Sequence, residues 1–112
     1  MNKNTTIIQK LNDEFRREFW CSPLGKTVVT RAVNALSAKD RAELMDNVRL
    51  FNDFSKDNDP YGEHDFGCIK IFGETFFWKI DYYDNNFQYG SENPADQKIT
   101  QRLLTIMTAN EY

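Results

Sequence analysis

The residues best equipped for chemistry in this 112-residue chain lie in two stretches, residues 57–67 and 77–84. The first holds Glu63, His64 and Asp65 in a row, and His64 is the only histidine. Carboxylates flanking an imidazole can hold its tautomer and tune its proton affinity, so the triplet could act as a general acid or base. The competing reading is a structural histidine that bonds across its own loop. In the second stretch Lys79 and Asp81 stand at i and i+2, on one face of a strand. They could form a catalytic pair, but with Lys70 on a partner strand such groups more often make an ionic surface. A nuclease-type acidic-x-Lys pattern fails, because position 77 is Phe77.

Metal and nucleotide sites fare less well. Asp57-Asn58-Asp59-Pro60-Tyr61-Gly62 begins like a calcium loop with glycine sixth. Tyr61 at the fifth position and Cys68 at the twelfth exclude an EF-hand. A looser hard-cation site would draw on Asp57, Asp59, Glu63 and Asp65; the alternative is an Asx-type turn ahead of Pro60. One histidine and two cysteines, Cys21 and Cys68, cannot supply a usual zinc or iron ligand set, so no metal and no cofactor is expected. Gly25-Lys26-Thr27 looks like the end of a phosphate-binding loop, but Trp20 stands where its first glycine belongs.

The elements that must position these residues follow from periodicity. Ile8, Leu11, Phe15 and Phe19 recur at helical spacing, with Thr5 or Thr6 as N-cap, until Pro23 and Gly25 stop the helix. A short β-branched run predicts a strand near 27–31. Ser37 and Asp40 resemble a capping box opening a helix that carries Leu44, Val48 and Phe51, broadened by Met45, and ends near Phe54. Residues 66–72 and 75–83 alternate around Gly73-Glu74, which predicts a two-residue II′ hairpin. That turn sets Ile69 opposite Trp78, Gly67 opposite Ile80, His64 opposite Tyr83 and Asp65 opposite Tyr82. Ile69, Ile71, Phe76, Trp78, Ile80 and Tyr82 then share one face. A last helix is expected from about Asp96, with Ile99, Leu103, Ile106 and Met107 inward. The order α-β-α-β-β-α predicts an α+β fold, a small antiparallel sheet of about three strands packed by helices.

Size and charge bound the function further. No linker, repeat or low-complexity tract interrupts the chain, so residues 1–112 are read as one domain. No apolar run approaches a membrane span, and the first ten residues lack a secretory signal. Two cysteines are too few for a disulfide framework, so reduced thiols in the cytoplasm are the expectation. Residues 1–56 carry ten basic and seven acidic side chains, and residues 57–112 carry four and ten, so +3 and −6 sum to −3. The second sheet face combines Phe66, Phe72, Phe77 and Tyr83 with Lys70 and Lys79, a pattern that can stack on single-stranded RNA. Seven acids against two lysines in residues 57–84 disfavour direct nucleic-acid binding. Either a helix covers this face or it is a protein-binding surface.

Two stretches carry a resemblance: residues 58–67 (Asn-Asp-Pro-Tyr-Gly-Glu-His-Asp-Phe-Gly) and 77–84 (Phe-Trp-Lys-Ile-Asp-Tyr-Tyr-Asp). With Asn12-Asp13, Phe15-Arg16, Val28-Val29-Thr30, Ala35-Leu36, Pro94-Ala95-Asp96, Leu104 to Met107 and Glu111-Tyr112, the chain resembles the bacterial domain-of-unknown-function family DUF 3768. It departs where Leu24-Gly25 replaces an expected Gly-Gly. The resemblance implies a bacterial protein often carried on plasmids and phages, and brings no assigned activity. That context favours a small protein-binding module that inhibits a host defence system by occupancy, of anti-CRISPR or anti-restriction type. Its partner would be a nuclease or CRISPR effector, met by Asp59, Tyr61, Glu63, His64, Asp65, Lys79, Asp81, Tyr83 and Asp84. The rival is a small enzyme built on Glu63, His64, Asp65, Lys79 and Asp81.

Overall fold

In the computed structural model, which describes residues 2–112, Asn2 rather than Thr5 or Thr6 caps the first helix. Its side chain accepts from the Thr5 N–H at 2.8 Å and opens α1 (Lys3–Glu18). Ile8 and Phe15 on α1, and Phe19 just beyond it, are buried as the helical spacing predicts. β1 (Gly25–Val29) starts two residues before the expected strand. Its first residue must be glycine, since a Cβ there would lie 2.0 Å from the backbone oxygen of Arg102. A single turn, α2 (Arg31–Asn34), leads to α3 (Ala38–Arg49). Ser37 caps α3 by accepting from the Asp40 N–H at 3.1 Å, as the capping pattern foretold. α3 ends at Arg49, five residues early, and residues 50–65 are loop and turn.

β2 (Phe66–Ile71) and β3 (Glu74–Tyr83) form the expected hairpin with its turn displaced by one residue. Phe72 and Gly73, with φ of 58° and 72°, occupy the turn instead of Gly73-Glu74. Both central residues at positive φ is the I′ geometry, whose twist suits a hairpin. Ile69 therefore faces Phe76, and Gly67 faces Trp78. Each partner differs by two positions from expectation, so every side chain keeps its face. Phe76, Trp78, Ile80 and Ile69 are buried together as foreseen.

The expected last helix is instead a strand, β4 (Gln101–Thr108), following a turn of 3-10 helix at Gln97–Ile99. β4 lies between β1, to which it runs parallel, and β3, to which it runs antiparallel. The sheet has four strands in the order β1-β4-β3-β2 rather than about three, and the fold remains α+β. Arg102, Leu104, Ile106 and Thr108 point inward at period two and are buried.

Phe15, Leu44 and Val48 from the helices share one core with Phe76, Trp78, Ile80, Leu104 and Ile106. Both long helices thus pack on the same face of the sheet. On the other face Val28 is exposed and Leu103, Thr105, Phe77, Lys79 and Asp81 are half-buried, with neither long helix over them, while Met107 beside Phe77 is buried. Phe87 borders this face at one end, where Lys26 Nζ lies 4.6 Å from its ring centroid. Tyr112 borders it at the other, edge-on to Phe66 and Phe77. No helix among the described residues is long and apolar enough to cross a membrane.

Candidate functional site

The loop after α3 docks its polar residues onto α1. Gln9, Asn12, Asp13 and Arg16 recur at three- and four-residue spacing, which puts them on one helix face. Gln9 Nε2 donates to the Gly62 carbonyl at 2.8 Å, and Asn12 Nδ2 to the Glu63 carbonyl at 3.0 Å. The backbone of the loop is thereby fixed before its side chains engage.

His64 is clamped. Its Nδ1 lies 2.9 and 3.1 Å from the two Asp13 carboxylate oxygens, and its Nε2 lies 3.6 Å from Asp59 Oδ2. Its backbone N–H donates to Asp59 Oδ1 at 3.1 Å. The ring stacks on Phe54 at 3.7 Å with planes 4° apart. A φ of 57° places His64 in the left-handed region, which costs a non-glycine residue roughly 1–2 kcal/mol. Its side-chain contacts offset that strain. Asp13 also accepts from Arg16, whose Nη2 donates to the Phe51 carbonyl at 2.8 Å. The Arg16 guanidinium lies over the Trp78 ring at 4.8 Å and is buried; desolvation lowers its proton affinity, opposed by Asp13.

A second network runs deeper. Tyr82 donates to Glu63 Oε1 at 2.9 Å and accepts from Asn12 Nδ2 at 2.8 Å. Asn12 Oδ1 accepts from Arg102 Nε at 2.6 Å, and Arg102 Nη2 donates to the Pro94 carbonyl at 2.7 Å. Arg102 is fully buried and, among the described residues, no carboxylate is in direct contact with it; desolvation lowers its proton affinity, and Tyr82 and Glu63 oppose that. Burial likewise pushes the Tyr82 hydroxyl well above its ordinary value.

Asp65 is pushed up to about 6, first by desolvation, then by the Glu63 charge, with smaller contributions from Asp59 and Asp81. A raised carboxyl pKa favours the folded state while Asp65 is protonated. That contribution is complete below the unfolded value near 3.8 and is lost as pH rises through about 6. Asp65→Asn should therefore raise the melting temperature at pH 7.5 and leave it nearly unchanged at pH 4. Melting curves at the two pH values check this; an equal effect at both would contradict it.

The sequence-predicted residues do not gather at one point. Asn12 and Asp13 hold Glu63 and His64 against α1, Asp59 meets His64, and Asp65 feels the charges of Glu63, Asp59 and Asp81. Lys79 and Asp81 pair with each other at 3.1 Å on the uncovered sheet face, opposite to the face holding Trp78 and Tyr82. Tyr61 is exposed, and Tyr83 approaches Phe87 at 6.0 Å. Asp84 Oδ1 accepts from the N–H groups of Asn86 and Gln88, ordering the next turn. Asn58 and Asp59 spend their side chains on their own loop, but with the N–H groups of Ser55 and His64 rather than the two-residue reach of an Asx turn. Among the described residues no three His, Cys, Asp or Glu side chains converge for a metal ion. The partners that residue-type reasoning missed are Asn12, Asp13, Arg16, Phe54 and Arg102. The polar face of α1 was the signal that could have revealed the first three.

Fold and site define a two-layer α+β protein whose most polar motif fastens a loop to a helix and whose sheet has one uncovered face. A family model described as "Protein of unknown function (DUF3768)" matches residues 29–111, and the chain belongs to that family. No curated protein and no solved structure matches it.

Proposed function

We propose that this chain is a cytoplasmic protein-binding module that inhibits a host defence nuclease or CRISPR effector by occupying its surface. The observation that carries the reading is the uncovered sheet face, where the Lys79–Asp81 ion pair lies beside Phe77 and Leu103 and, across Thr105, Val28. Apolar and ionic side chains side by side on a sheet face that neither long helix covers offer a protein partner both contact area and specificity. Charge supports the same reading. The net −6 of residues 57–112 suits a partner with a basic, nucleic-acid-binding groove, since complementary potentials steer and select. His64 supports occupancy over turnover, because both ring nitrogens face carboxylates and one ring face lies on Phe54.

The test expresses the protein in bacteria carrying an active restriction or CRISPR system and counts phage plaques. Wild type should restore plaques, and Phe77→Glu with Leu103→Glu should not, while circular dichroism shows both folded. Plaque counts unchanged by wild type with every defence type tried would remove the reading.

A further inference from the structure

On the helical side of the molecule, away from the uncovered sheet face, a cleft of about 310 Å³ opens between α1 and the end of α3. Arg16, Arg17 and Arg49 line it, with Leu50, Phe51 and His64. Within the cleft those three guanidinium groups stand against one lining carboxylate, Asp13, a formal +2, while Glu18 and Asp46 line the neighbouring hollow that Arg17 and Arg49 also border. Asp46, outside the cleft, reaches Arg49 only at 3.7 Å and is itself two-thirds exposed. Arg17 has no ion-pair partner among the described residues. Converging like charges cost free energy unless a counter-charge joins them.

We propose that this cleft binds a small organic phosphate, with the phosphoryl group between Arg17 and Arg49 and the organic remainder on Leu50 and Phe51. Guanidinium forks match phosphate oxygens bidentately, and a phosphate monoester carries about −1.5 to −2 near pH 7, which balances the local charge. The division of labour among the arginines follows from their existing bonds. Arg16 already donates to Asp13 and to the Phe51 carbonyl, so it forms the floor and supplies field. Arg17, and Arg49 by exchanging its long contact with the exposed Asp46, are the arms that close on a ligand. A cavity of this volume sits at the low end of small-molecule sites, with more room than an inorganic ion fills. Aromatic and aliphatic carbon beside the cations would reward a ligand with an apolar or planar part. None of this rests on the protein-binding reading, which uses the opposite face.

The experiment is an NMR titration of the isotopically labelled full chain with inorganic phosphate, adenosine 5′-monophosphate and adenosine. The nucleotide should give saturable shifts at the Arg17 and Arg49 side chains and at the Leu50 and Phe51 amides. It should bind roughly tenfold tighter than inorganic phosphate, a difference of about 1.4 kcal/mol. Adenosine should bind more weakly than the nucleotide. Arg17→Gln with Arg49→Gln should abolish saturation while leaving the melting temperature close to wild type; Lys3→Gln should change nothing. Absence of saturable shifts at millimolar nucleotide, or shifts that persist in the double variant, would overturn the proposal. Equal binding of adenosine and its phosphate would overturn it too.

Discussion

Trp78→Ala is expected to lose ~3–5 kcal/mol of folding stability, the range for truncating a large buried aromatic. Trp78 is fully buried at the centre of β3, where it joins the two layers. Phe51 and Phe54 meet its ring edge-on at 5.5 and 6.2 Å, and Arg16 covers it at 4.8 Å. On the neighbouring strand Gly67 makes room for the indole, since a Cβ there would come within 2.2 Å of Nε1. Truncation would leave a cavity and strip the apolar partner from a buried guanidinium. Denaturant unfolding followed by circular dichroism reads the loss, and a midpoint within a few tenths of a molar of wild type would contradict this account.

Asn12→Ala should cost at least about 3 kcal/mol, although it removes only a small neutral side chain. Its amide is fully buried and joins three groups, the Glu63 carbonyl of the loop, the Tyr82 hydroxyl and Arg102. Without Asn12 Oδ1 the buried Arg102 loses the acceptor of its Nε. Leaving a buried charge or polar group without a partner costs roughly 1–3 kcal/mol, and more for charge. A compensating change tests the mechanism. Asn12→Leu combined with Arg102→Met should be less damaging than Asn12→Leu alone, because no charge is then stranded. Additive losses in that cycle would argue against a coupled network.

Much of this architecture is written locally. α1 and α3 are legible because their apolar residues keep helical spacing and Ser37 supplies a cap. The buried face of the hairpin is legible because alternation survives any even shift of register. The turn was not, because Phe72 adopts a positive φ that bulky residues rarely take, and only the completed hairpin stabilises it. β4 was misread for a different reason. Ile99, Leu103, Ile106 and Met107 imitate a helical stripe, while the inward set contains Thr100, Arg102 and Thr108, which break the apolar alternation. Pairing with β1 and β3 decides the matter, and both lie far away in sequence. The polar site divides in the same way. The sequence shows Glu63, His64 and Asp65 as a cluster, but their partners Asn12 and Asp13 lie about fifty residues earlier.

The proposed occupancy is separated from turnover most directly by titrating a defence nuclease or CRISPR effector against which the plaque test shows protection. With the defence nuclease or effector at fixed concentration, its cleavage of target DNA is measured as purified protein is added. Activity should fall linearly to an end point at a fixed molar ratio, remain inhibitable by folded His64→Ala, and escape Phe77→Glu with Leu103→Glu. Complete inactivation by a small fraction of an equivalent, lost in a folded His64→Ala variant, would show a catalyst and contradict the account.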